Sequence, residues 1–87
     1  MVGLTQNAAI EYSSKKIRIN CVAPGFINTP LLGSIDSKSK ELLALKHPIE
    51  RLGKPEEVAE LVLWLCSEKA SYATGGYYPI DGGYLAL

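Results

Sequence analysis

The sequence has little of what marks metal, redox or nucleic-acid chemistry. It holds two cysteines and one histidine in 87 residues. Cys21 and Cys66 each stand alone in an apolar run with no C-x-x-C spacing, so neither a zinc site nor a disulfide framework is indicated. Both read as small core residues. His47 has no second His, Cys or carboxylate at ligand spacing and reads as a loop residue rather than a metal ligand or a catalyst. Charge of one sign is absent as well. Nine Lys and Arg balance nine Asp and Glu, which gives no electrostatic reason to expect DNA, RNA or an anionic membrane as partner. The densest basic run, Lys15-Lys16-x-Arg18, reads as a solvated turn before a strand. The longest apolar stretch, Leu61 to Cys66, is far below the roughly 18 residues of a membrane span. No charged start followed by an apolar core marks a secretory signal, which makes the cytoplasm the expected location.

What is present is the composition of a globular core, with 47% hydrophobic and 21% charged residues. A chain this short forms one small domain and buries only roughly 60–65% of its unfolded surface, so its stability margin is thin. Leu4, Ala8 and Tyr12 recur four apart, which predicts a helix from Val2 to about Ser14, opened without a capping residue. Ile17, Ile19, Cys21 and Ala23 then alternate on one face of a strand, with Val22 apolar on the other. A strand apolar on both faces suits a parallel sheet covered by helices. Pro24-Gly25 ends it.

A long irregular stretch from Phe26 to Lys54 follows, with a short helical pattern around Glu41 to Lys46 stopped by Pro48. The clearest element comes next. Pro55 suits a first helical position, Glu56 and Glu57 suit the dipole, and Val58, Leu61, Val62, Leu65 and Cys66 form an apolar stripe. Ala59, Leu63 and Trp64 widen that stripe until the helix, expected to reach about Glu68, needs more than one neighbour. Tyr77-Tyr78-Pro79-Ile80-Asp81 reads as a short strand closed by Gly82-Gly83, and Pro79 argues for an edge position. Strand, crossover helix and strand make one βαβ unit, right-handed, with its two strands parallel.

Several of these segments together resemble a known family. Ile17 to Gly25 is similar to the strand and Pro-Gly turn of short-chain dehydrogenases/reductases, and Thr29 falls where that family places a threonine. Arg51-Leu52-Gly53-Lys54-Pro55-Glu56-Glu57-Val58-Ala59 resembles the approach to its last long helix. Thr74-Gly75 and Ile80-Asp81-Gly82-Gly83 match its closing strand. Residues 30–50 are its variable, substrate-facing region. The resemblance implies an α/β fold for residues 1–87: a single partial domain, the C-terminal fragment of a Rossmann-type doubly wound sheet.

By the same resemblance, Val2-Gly3-Leu4-Thr5 follows the catalytic lysine of a Tyr-x-x-x-Lys pair, and neither that pair nor the glycine-rich phosphate turn lies in this sequence. Tyr12, Tyr72, Tyr77, Tyr78 and Tyr84 each lack a lysine four positions on. No catalytic residue is therefore assigned. Four residues are assigned to an NAD or NADP site: Pro24 and Gly25 turn the backbone beside the nicotinamide, Ile27 offers main-chain groups to its carboxamide, and the Thr29 hydroxyl binds carboxamide or diphosphate. Read without the family, Pro24-Gly25 is a turn and Thr29 a loop threonine.

Leu31, Leu32, Leu42, Leu43 and Leu45 form either an apolar lid or local loop packing, Asp81-Gly82-Gly83 is a turn at a subunit contact, and Trp64 is interface or core. Two functions follow from the resemblance. One is the C-terminal part of a cytosolic NAD(P)-dependent oxidoreductase of alcohols and ketones, inactive and without bound cofactor as this chain alone. The other is a non-catalytic module that associates with itself. The expected partner is a second copy, in a homodimer or higher oligomer, or an N-terminal half.

Overall fold

Helix α1 has Met1 at its N-cap position, and the Met1 side chain makes no capping bond. The computed structural model describes residues 1–87. α1 spans Val2–Tyr12 and runs into a single 3₁₀ turn, Ser13–Lys15. Lys16 then takes a left-handed conformation and reverses the chain into β1, Cys21–Pro24. α2 follows at Ser37–Leu45, α3 at Pro55–Cys66 and β2 at Tyr77–Ile80.

β1 pairs with β2 in parallel, Cys21 opposite Tyr77 and Pro24 opposite Ile80, with α3 in the crossover. The βαβ unit read from the sequence is therefore present. The ladder shows which way each strand faces. Cys21 N–H donates to Gly76 C=O at 2.9 Å and Gly25 N–H to Ile80 C=O at 3.0 Å, so the odd-numbered residues of β1 meet β2. Asn20, Val22 and Pro24 point their backbone groups the other way, to an open edge. On β2, Tyr77 and Pro79 face outward, so the missing N–H of Pro79 falls on the outer edge, where it costs the ladder nothing.

β1 is shorter than the alternation from Ile17 implies, because Ile17 to Asn20 bond elsewhere. Ile19 N–H donates to the Thr74 hydroxyl, and the Asn20 side chain bonds Ala73 C=O and Gly76 N–H at 2.9 and 3.0 Å. Side-chain bonds of this kind hold the two segments together while displacing the regular ladder. α3 ends at Cys66 rather than Glu68, where Ser67 caps a following 3₁₀ turn through its hydroxyl. The polar run before Glu41 is also helical: Asp36 accepts the Ser39 N–H at 2.7 Å and starts α2 at Ser37.

The core is small. Only Thr5, Ala9, His47, Leu65 and Ala70 are buried. The chain is elongated, 50 × 23 × 20 Å, with a radius of gyration of 15.5 Å; a compact chain of this length has roughly 12 Å. Its accessible surface is 6400 Å², about 1,400 Å² above the roughly 5,000 Å² of a compact protein of this mass. α3, broad enough in its apolar surface for several neighbours, leaves Leu63 66% exposed.

Candidate functional site

The carboxyl ends of β1 and β2 come together at Gly25 and Asp81, the place where parallel α/β sheets present loops to a ligand. Gly25 is required there for packing: a Cβ on it would stand 2.9 Å from the Asp81 backbone. The glycine thus lets the two strand ends close on each other. Pro24, beside it, is the exposed last residue of β1.

Beyond Gly25 the chain forms one parallel bridge to the segment before α3. Gly53 N–H donates to Phe26 C=O at 3.0 Å and Asn28 N–H to Gly53 C=O at 2.9 Å. Ile27 lies between those two bonds, and its own N–H and C=O make no backbone hydrogen bond. They are held in place by their neighbours yet remain free to meet another group. Thr29 uses its C=O to receive Leu32 and Gly33 N–H groups, while its hydroxyl bonds nothing within the chain. The four residues expected from the sequence therefore form one continuous strip, Pro24 to Thr29.

The bridge partner is anchored in turn. Arg51 makes two bonds of 2.8 Å to the Glu57 carboxylate, which also accepts Lys54 N–H at 2.9 Å at the start of α3. The Arg51 guanidinium, then the Lys54 N–H, pull the Glu57 carboxyl down to about 2, and the same hydrogen bond raises Arg51.

His47, read as a loop residue, is one of the most buried side chains, at 2% exposure. Its Nδ1 sits 2.9 Å from Leu43 C=O and must donate, since a carbonyl only accepts, while Nε2 is buried without a partner. The ring meets Phe26 edge-on at 5.7 Å and Tyr84 at 5.4 Å. These three rings tie the loop after β1, the end of α2 and the C-terminal turn together. Beside them lies a cavity of about 150 Å³ lined in part by Ile27, Ile49, Val58 and Ile80.

Asp81 fixes the last turn, accepting Gly83 and Leu85 N–H at 3.0 and 3.1 Å. Gly82 there has φ +60°, and a Cβ on it would strike Ile49 at 2.5 Å. The leucines of residues 30–50 form no enclosed layer: Leu31, Leu42 and Leu45 are 83%, 58% and 64% exposed. No group of three His, Cys, Asp or Glu could hold a metal ion, and no helix is long and apolar enough to cross a membrane.

The family model described as Enoyl-(Acyl carrier protein) reductase matches residues 1–85. The chain belongs to the short-chain dehydrogenase/reductase family. Cyclohexanol dehydrogenase of Acinetobacter sp. (strain SE19) is 51% identical over 84 residues, 97% of this chain and 32% of that protein. The 3-oxoacyl-(acyl-carrier-protein) reductase of Thermotoga maritima is 45% identical over 83 residues, 95% of this chain and 34% of that one. The crystal structure of a short chain dehydrogenase family protein from Francisella tularensis superposes with a TM-score of 0.90 at 32% identity, covering 99% of this chain and 40% of that one. The chain thus spans about a third of the length of the curated relatives it matches. The α/β architecture, with its parallel strand pair, is that of the corresponding part of a short-chain dehydrogenase.

Proposed function

We propose that Pro24, Gly25, Ile27 and Thr29 line the nicotinamide end of an NAD or NADP site in a cytoplasmic oxidoreductase of alcohols and ketones. The observation that carries this reading is the pair of free backbone groups on Ile27, positioned between two ladder bonds at the carboxyl end of β1. A carboxamide needs one donor and one acceptor, and Ile27 offers both. The unbonded Thr29 hydroxyl adds a group that can donate or accept. Pro24 stiffens the entry to the turn, and the Arg51–Glu57 pair holds Gly53, hence Ile27, in place. The nicotinamide, when bound, supplies the hydride chemistry; these residues bind and orient.

The reading is tested in a chimera in which residues 1–87 replace the matching third of the Acinetobacter cyclohexanol dehydrogenase. The chimera should oxidise alcohol with a nicotinamide cofactor. Ile27→Pro, which removes the free N–H, and Thr29→Val should each raise the cofactor KM roughly three- to tenfold, as the loss of one hydrogen bond does. A folded chimera whose cofactor KM ignores both substitutions rejects the assignment.

A second reading, a module that associates with itself, is favoured by a separate observation. The chain exposes about 1,400 Å² beyond the surface expected of a compact protein of its mass. Sedimentation equilibrium at micromolar concentration tests it, and a well-folded monomer rejects it.

A further inference from the structure

We propose that His47 is a positioning residue for the nicotinamide end of the cofactor site: its ring, packed against Phe26, aims the free N–H of Ile27. This rests on the NAD or NADP reading of the strip Pro24 to Thr29 and adds to it a residue from outside the strip. One peptide plane carries the effect. Phe26 C=O and Ile27 N–H belong to the same trans peptide unit and point in opposite directions. Phe26 C=O accepts Gly53 N–H at 3.0 Å, so that bond decides where Ile27 N–H points. The next plane works the same way, Asn28 N–H on Gly53 C=O at 2.9 Å aiming Ile27 C=O. Whatever steadies Phe26 therefore steadies the donor of Ile27 more than its acceptor.

Phe26 needs such support, because it is 41% exposed and is held from one side only. Two rings meet it edge-on, His47 at 5.7 Å and Tyr84 at 6.4 Å. His47 is the better fixed of the two, buried where Tyr84 is exposed. Its Nδ1–H donates to Leu43 C=O at 2.9 Å, which locks the ring to the last turn of α2. The backbone is held as well: His47 C=O accepts Glu50 N–H at 2.8 Å, and Ile49 N–H donates to Gly82 C=O at 3.1 Å. The segment that begins at His47 ends at Gly53. One residue thus stands at the head of both routes into the bridge, through its ring to Phe26 and along the chain to Gly53. The buried Nε2 bonds nothing, which leaves ring packing and the Nδ1 bond as what the imidazole contributes.

The first readout is amide exchange on the 87-residue chain. In His47→Ala the protection of Gly53 N–H, which bonds Phe26 C=O, should fall about tenfold, and that of Asn28 N–H less. A Gly53 N–H unprotected in the wild type, unmoved in the variant, or weakened no more than the rest of the chain overturns the proposal. The second readout is the cofactor KM of the dehydrogenase chimera. His47→Ala should raise it about threefold with kcat little changed, whereas a purely structural role would lower the folded fraction, and with it kcat, leaving KM where it was. His47→Phe, which keeps a ring against Phe26, should bring KM back to within about twofold of its original value. If His47→Ala does not fold, Phe26→Leu removes the same contact from the other side and must give the same two shifts. A KM unmoved in a chimera that still responds to Ile27→Pro and Thr29→Val overturns this inference and keeps the cofactor site. A chimera that ignores all of these substitutions overturns both.

Discussion

Glu57 joins three parts of the molecule: its carboxylate closes the first turn of α3, fixes Arg51 and so steadies Gly53 under Ile27. Its acidity, lowered from an ordinary 4.5 to about 2, sets a direction. A carboxyl depressed in the folded state contributes stability above its unfolded value and loses it as pH falls through the folded one. The protection factors of amides at the start of α3, taken relative to the unstructured rate at each pH, should therefore fall as pH drops from about 4.5 toward 2, and Glu57→Gln should remove that fall. Gly82 supports a second expectation. With φ +60° and no room for a Cβ, Gly82→Ala should cost about 2 kcal/mol in a urea melt, whereas Gly3→Ala, in open space, should change stability far less. His47 was the residue hardest to read from sequence. Its burial comes from Phe26 and Tyr84, which belong to elements far away along the chain, and no local pattern announces such a contact.

Among the elements, α3 and the parallel pairing of β1 with β2 were legible, because apolar periodicity, Pro55 and the two glutamates all agree. The first turns of α2 were not. Ser37-Lys38-Ser39-Lys40 has no apolar period, and the helix starts there because Asp36 caps it. The signal was a single Asp before Ser-Lys-Ser. Asp36→Ala should lower helicity measured by circular dichroism, and Asp36→Asn, which keeps a capping oxygen, should largely restore it. The expected start of β1 at Ile17 missed for a related reason: Thr74 and the Asn20 side chain take bonds that a regular ladder would have used. At the site itself the strip Pro24 to Thr29 could be named from its motif. The reason Gly25 must be glycine could not, since it depends on where Asp81 arrives.

For the whole molecule, five buried residues and an elongated shape mean that most apolar side chains still face water. The chain alone should give no measurable oxidation or reduction of alcohols or ketones with NAD or NADP, assayed in a preparation free of host dehydrogenases. Turnover there would show that an acid/base group exists outside the Tyr-x-x-x-Lys pattern. The parallel pairing has one more consequence, in time rather than space. Asn20 and its partner Gly76 are 56 residues apart, so during synthesis β1 is complete long before β2 exists. At about 5–20 residues per second, the edge that β2 covers stays bare for roughly three to eleven seconds. A chaperone that binds extended apolar segments has that interval in which to find Ile17 to Ala23, and a pairing between strands so far apart in sequence cannot shorten it.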